Sequence, residues 1–212
     1  MKSLISYIYE AIKPLSKGIK GLIVFDIDDT LLKVNTDKIK IYKTDPNTNK
    51  RIALSTAEYA KDPDAAEHED WFDISEFDDP VKVYDSIVGG EPLIKNLKMM
   101  DSYIRAGYDF CFLTARGCED VVKKAMAEFL NYKDSNGELK KLGNIFKTRL
   151  SHAINDEYKN YPGKTDAEKK ANVLKKLCKK YDKVIFVDDN MNNVQNARDL
   201  NLSNLKVIHA QE

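Results

Sequence analysis

The chain has 212 residues, 42% hydrophobic and 32% charged, and its 34 basic and 34 acidic side chains leave a formal net charge of zero. That length buries one well-formed core with room for an insertion, or two small cores. The balanced charge excludes a whole-molecule field that steers nucleic acid or acidic partners, and the apolar runs are too short to span a bilayer, so no membrane insertion is expected.

In chain order, residues 1–20 read as an amphipathic helix. Leu4, Ile5, Ile8, Tyr9 and Ile12 recur at helical spacing and Pro14 ends the run. It lacks the apolar stretch and cleavage site of a secretory signal. Its stripe packs on its own domain or meets a partner or membrane surface. The three cysteines, Cys111, Cys118 and Cys178, form no CxxC pair; an odd count without such a signal fits a reducing, cytoplasmic compartment. The oligomeric state is left open.

From Gly21 the pattern changes to short β-branched and aromatic runs, as in strands buried on both faces. These are GLIVFD at residue 21, YDFCFLT at 108 and KVIFVDD at 183, with weaker runs IFKTRL at 145 and LKVIHA at 205. Between them, the stretches from Glu91, Cys118, Asp166 and Asn190 carry helical periodicity, the first closed by Gly107. Strands alternating with such helices predict α/β units and a mostly parallel, Rossmann-like sheet over residues 21–212. Residues 33 to about 90 break the rhythm. KIKIYKTDPNTNKRIAL reads as a hairpin around Asp45-Pro46-Asn47, so this region is expected to be a small β-rich insertion.

In parallel sheets the carboxyl ends of strands line the ligand crevice. One strand ends in Asp26-Ile27-Asp28-Asp29-Thr30, another in Thr114-Ala115-Arg116, a third in Asp188-Asp189-Asn190, and a helix beginning near Thr165 carries Lys169 and Lys170. Carboxylates are hard ligands suited to Mg²⁺, a carboxylate can attack phosphorus, and a lysine neutralises the phosphate that would repel it. A second carboxyl two residues on can protonate the leaving oxygen and then activate water.

This constellation resembles the haloacid dehalogenase superfamily, in its aspartate-nucleophile phosphatase branch. Asp26, Asp28 and Thr30 match the DxDx(T/V) motif, Thr114 the hydroxyl ending an apolar strand, and Asp188 and Asp189 the paired acids, all in family order. The layout is similar to small phage-type phosphatases and to the phosphatase domain of polynucleotide kinase-phosphatases. The resemblance implies a three-layer αβα core with a small hairpin cap, and Asp26 as nucleophile and metal ligand. It implies Asp28 as acid/base that lends its backbone carbonyl to Mg²⁺, Asp188 as a further metal ligand with Asp189 behind it, and Thr114 with Lys170 on the phosphate. Lys169 and Lys164 are alternatives to Lys170. It further implies a phosphorylated small molecule or a nucleic-acid end, such as a nucleotide or a polynucleotide 3′-phosphate, as substrate.

Several residues carry a second reading. Asp189 also suits a helix cap. Arg116 is either a substrate phosphate contact or a surface salt bridge. The lysine pairs from Lys123-Lys124 to Lys179-Lys180 suit a solvated helix face better than a nucleic-acid track. Trp71, Phe72 and Phe77 suit the insertion core better than base stacking. His68, His152 and His209 share no ligand spacing. Two other functions compete: a receiver-type phosphoacceptor, whose lysine would follow the last acidic strand end, and a non-catalytic interaction module on the same fold.

Overall fold

The structure, a computed structural model, describes residue 12 and residues 14–130, 152–153 and 161–210. The expected helix within residues 1–20 and the strand expected at IFKTRL lie outside the described residues, apart from residue 12 and residues 14–20. The strands are β1 (Gly21–Phe25), β2 (Leu32–Lys33), β3 (Ile41–Thr44), β4 (Arg51–Leu54), β5 (Phe72–Asp73), β6 (Glu91–Pro92), β7 (Asp109–Phe112), β8 (His152–Ala153), β9 (Lys183–Asp188) and β10 (Leu205–His209). The α-helices are α1 (Thr56–Tyr59), α2 (Pro80–Val88), α3 (Ile94–Arg105), α4 (Glu119–Phe129), α5 (Asp166–Cys178) and α6 (Met191–Asp199).

The main sheet is all parallel, in the order β10-β9-β1-β7-β8. From central β1 the chain first builds outward through β7 and then returns to β9 on the other side, so the order reverses beside β1. Such a reversal opens a crevice at the strands' carboxyl ends. The continuous apolar runs follow from burial on both faces. Ile23 and Phe25 of β1 join Phe110, Phe112, Ile185 and Val187 in one core cluster, with side chains from α2, α3 and α4. Leu22 and Val24 join Cys111, Val184 and Phe186 in another, with Val173, Leu174 and Leu177 of α5. This is the two-residue alternation of a strand. Burial pushes the Cys111 thiol well above its ordinary value, so it is an inert core group.

Helix α3 stops where its sequence says. Gly107 takes φ +94°, its N–H reaches the Ile104 carbonyl at 3.0 Å, and the Tyr108 N–H reaches the Tyr103 carbonyl at 3.1 Å. The Tyr103 and Tyr108 rings meet edge to face at 5.1 Å. This is a Schellman stop with its hydrophobic contact.

The insertion is pinched at its base, where β2 pairs antiparallel with β6, Lys33 opposite Glu91. The hairpin forms as expected: β3 pairs with β4 and also with β5, and the Asp45 carboxylate accepts the N–H groups of Asn47 and Thr48 at the turn. The β-rich expectation needs one correction. Pro80–Val88 is a helix, with Asp79 capping the Val81 and Lys82 amides and proline at its first turn. The Asp-Pro pair is the start signal; Val83 and Ile87, four apart, are its buried face. Phe72 and Phe77 are buried, as core residues of the insertion.

Glu76 ties these pieces together. Its carboxylate accepts from the Lys40 amide at 2.8 Å, the Tyr42 hydroxyl at 3.3 Å and the Lys82 ammonium at 2.5 Å. Burial favours its neutral form, but these donors outweigh burial and hold the carboxyl below its ordinary value. A depressed carboxylate stabilises the fold above the unfolded-state pKa, about 4.3, and that contribution disappears as pH falls through the folded value. Urea unfolding of Glu76→Gln should therefore show a loss of about 1–2 kcal/mol at pH 7 that shrinks at pH 3. An equal loss at both pH values contradicts this account.

Candidate active site

The register of the sheet assembles the first acidic pair. Phe25 stands opposite Val187 on the neighbouring strand, so Asp26 and Asp188 leave the sheet side by side. Counting in twos from Leu22 and Val24, and from Val184 and Phe186, both carboxylates fall on the face covered by α5.

Helix α5 supplies their partner. Thr165 caps it by accepting the Glu168 amide, while the Glu168 carboxylate reaches back to the Lys164 amide at 2.6 Å. This is a capping box shifted by one residue on its return arm. Capping there sets the helix phase, and Lys170 shares its face with Val173 and Leu174. The Lys170 ammonium donates to Asp26 Oδ1 and Asp188 Oδ2, each at 2.8 Å. Lys170 is only 3% exposed. Lys169 is turned to Asp166 at 3.9 Å and Lys164 is exposed, so geometry brings only Lys170 to the acidic pair.

Two asparagines complete the Asp188 shell, and the sequence reading missed Asn193. Asn193 Nδ2 donates to both Asp188 oxygens at 3.0 Å, and the Asn190 amide donates to Oδ1 at 2.9 Å. Asn193 lies one turn into α6, a helix that starts directly after the β9 acids; that placement is the signal that could have found it. Thr30 and Asp189 bond reciprocally: the hydroxyl donates to the carboxylate and accepts from the Asp189 amide, both at 3.0 Å. The Asn96 side chain donates to the Thr30 carbonyl at 2.7 Å, and His209 Nε2 donates to the Asp189 carbonyl at 2.8 Å.

Asp28 belongs to a different charged centre. Arg116 Nε donates to both of its oxygens at 2.9 Å, and NH2 to Oδ1 at 2.5 Å. Arg116 NH1 reaches Ser86 Oγ of α2 at 2.7 Å, and the guanidinium lies 5.3 Å from the Phe77 ring centre. Arg116 is wholly buried, so the surface-bridge reading does not describe it. Thr114 is also fully buried; its hydroxyl accepts the Arg116 amide at 3.3 Å, and it is Ala115 beside it that lines the cavity.

These centres meet in a cavity of about 300 Å³ that holds Asp26, Asp28, Asp29, Lys170, Asp188 and Asp189 in its wall. Residues of the insertion are among its lining, and the Thr56 hydroxyl donates to Asp29 at 2.5 Å. Asp29 presents that carboxylate from a left-handed backbone, φ +53°. Burial pushes the Asp26 carboxyl well above the usual range, Lys170 opposes this, and Asp188 and Asp28 add to it. Burial, then the Asp188 charge, push Asp189 up to about 7. Lys170 loses solvation on burial, but Asp188 and Asp26 more than restore its charge.

Among the described residues, no group of three His, Cys, Asp or Glu side chains is arranged to hold a metal ion. The donor set implied by the resemblance does not need one: it has two carboxylates, Asp26 and Asp188, with the Asp28 backbone carbonyl. These are hard oxygens, the kind of ligand that suits a divalent cation such as Mg²⁺, and Asp26 and Asp188 stand side by side at the strand ends. No known family model matches the chain, and no curated protein matches it. Among the described residues, no helix is long and apolar enough to cross a membrane.

Lys170→Met leaves two buried carboxylates facing each other, and breaking a buried pair costs about 3–5 kcal/mol. Urea unfolding should show a loss of that size, with Lys169→Ala and Lys164→Ala within about 0.5 kcal/mol of the parent. A Lys170→Met loss below that of Lys169→Ala contradicts the arrangement.

Proposed function

We propose that the chain is a Mg²⁺-dependent phosphomonoester hydrolase of the haloacid dehalogenase type, working through an aspartyl-phosphate on a three-layer αβα core with the hairpin insertion as its cap. The observation that carries this reading is the buried Lys170 ammonium between the Asp26 and Asp188 carboxylates at a strand-end cavity. A lysine held there by two acids is placed to neutralise both a phosphoryl group and the carboxylate that attacks it.

Asp26 forms the bond to phosphorus as the bond to the leaving oxygen breaks; that oxygen takes a proton from Asp28. Water, giving its proton back to Asp28, then cleaves the acyl phosphate and restores Asp26. Asp26, Asp188 and the Asp28 carbonyl would hold Mg²⁺, which supplies charge neutralisation at the phosphoryl oxygens. Lys170 keeps Asp26 oriented, and Asn193 and Asn190 do the same for Asp188. Both Asp28 oxygens accept from Arg116, so a proton on either displaces part of that fork. Turnover under this reading requires Asp28 to turn from Arg116 toward the leaving oxygen. Nucleotides and polynucleotide 3′-phosphate ends are the substrates that the likeness to polynucleotide phosphatases suggests.

The same fork favours a second reading, a phosphoacceptor module whose aspartyl-phosphate persists because Asp28 stays with Arg116. Leaving-group dependence separates the two. With Mg²⁺ and an aryl phosphate, Asp26→Asn should lose activity by about 10³-fold or more. Lys170 keeps Asp188 as a partner, so stability should change by about 1 kcal/mol or less. Asp28→Asn should slow alkyl phosphates by about 10²–10⁴-fold and nitrophenyl phosphate far less. An active Asp26→Asn protein overturns the covalent route, and equal losses across leaving groups assign Asp28 to structure and favour the phosphoacceptor.

A further inference from the structure

The walls of the cavity say what kind of phosphate ester it suits. One wall comes from the insertion and is apolar: Ile41, Tyr59, Ala65, Ile74 and Phe77. Another part of the lining is amide-rich, with Asn190 capping α6 and Asn192, Asn193 and Asn196 on it. Asn192 is exposed. Seven of the described lining residues are carboxylates, with Asp166 and Glu168 adding to the five strand-end acids, and Lys170 is the one cation. That cation is held by Asp26 and Asp188. Arg116 is buried on Asp28 and does not line the space.

A polyanion needs a track of cations for its successive phosphates. Among the described residues, the lysine pairs noted in the sequence beyond Lys170 lie away from the cavity lining. Lys175-Lys176 and Lys179-Lys180 lie five to ten positions beyond Lys170, roughly 7–15 Å down the axis of α5 and away from its capped end. Lys124 sits over the Tyr84 ring, 5.4 Å from its centre, and Lys123 pairs with Glu119. A second phosphate entering the cavity would meet the carboxylates of Asp29 and Glu168, and Asp166 with Lys169 at 3.9 Å from it.

We infer that the substrate carries one phosphoryl group on a small uncharged alcohol with one apolar and one hydrogen-bonding side, as in a nucleoside monophosphate, and that polynucleotide ends are excluded. This rests on the phosphohydrolase reading and narrows it. A cavity of about 300 Å³ is of small-molecule size. The ring of such a substrate lies against the insertion wall and its polar edge faces the α6 amides.

The test compares two esters that share a 3′-hydroxyl leaving group with a third whose alcohol is glycerol. With Mg²⁺ and the full chain, kcat/KM is measured for a nucleoside 3′-monophosphate, for an oligonucleotide ending in that same 3′-phosphate nucleotide, and for glycerol phosphate, which has no apolar side. The mononucleotide should exceed each of the others by about tenfold or more, the range over which local fields change encounter rates. Ile74→Asp should cut kcat/KM for the mononucleotide by about tenfold, and more than it does for glycerol phosphate. An oligonucleotide that equals or exceeds the mononucleotide overturns the inference, as does glycerol phosphate at parity. Failure of the broader reading is seen separately, as no hydrolysis of p-nitrophenyl phosphate. Calorimetric binding of the mononucleotide and the oligonucleotide to Asp26→Asn then decides the ligand class: tighter mononucleotide binding upholds it, and tighter oligonucleotide binding or none for either refutes it.

Discussion

The contact on which the rest of the site depends is the Lys170 ammonium held between Asp26 and Asp188. Three charges buried at one point cannot be tolerated singly. Each carboxylate is expensive without the ammonium, and the ammonium is expensive without the carboxylates. The contact therefore fixes three elements at once: the end of β1, the end of β9 and the first turns of α5. The parallel register brings the acids side by side, strand alternation turns both toward α5, and the Thr165 cap sets the phase at which Lys170 meets them. Nothing in the apolar core asks for this lysine; the two acids set its place.

A second buried charge pair, Arg116 with Asp28, ties the site to the insertion. Its guanidinium also reaches Ser86 on α2 and lies over Phe77, while Thr56 of α1 bonds Asp29. The loop carrying Asp28 and Asp29 is thus gripped by the insertion from two sides. Seven carboxylates and Lys170 line the cavity, and Lys170 is already engaged by two of them.

Much of this was legible in the sequence. GLIVF, DFCF and KVIFVD are apolar on both faces, and only a sheet covered on both sides uses such runs. Their polar ends then had to converge. The helix phase alone distinguished Lys170 from Lys169, because residues three and four before Val173 and Leu174 share their side. The surface-bridge reading of Arg116 fails because its burial depends on Asp28 and Ser86, 88 and 30 residues away in sequence, and arginine is rarely buried without such partners. Thr114 lay where expected along the chain, yet strand alternation carries it to the face of Phe110 and Phe112, away from the cavity wall. The helix at Pro80–Val88 escaped because its apolar stripe is only Val83 and Ile87. Its Asp-Pro start was the stronger signal. Asn96 carries no motif and emerges only from the tertiary arrangement, whereas Asn193 is marked only by its place in the helix that follows the β9 acids.

The central claim is that Asp26, paired to Lys170, takes the phosphoryl group onto its own carboxylate. Acid quenching within the first turnover, after mixing the full chain with Mg²⁺ and a radiolabelled phosphomonoester, tests it most directly. The account predicts an acid-stable, hydroxylamine-labile label in the peptide that contains Asp26, absent from Asp26→Asn. Turnover that proceeds with no label on that peptide would contradict it.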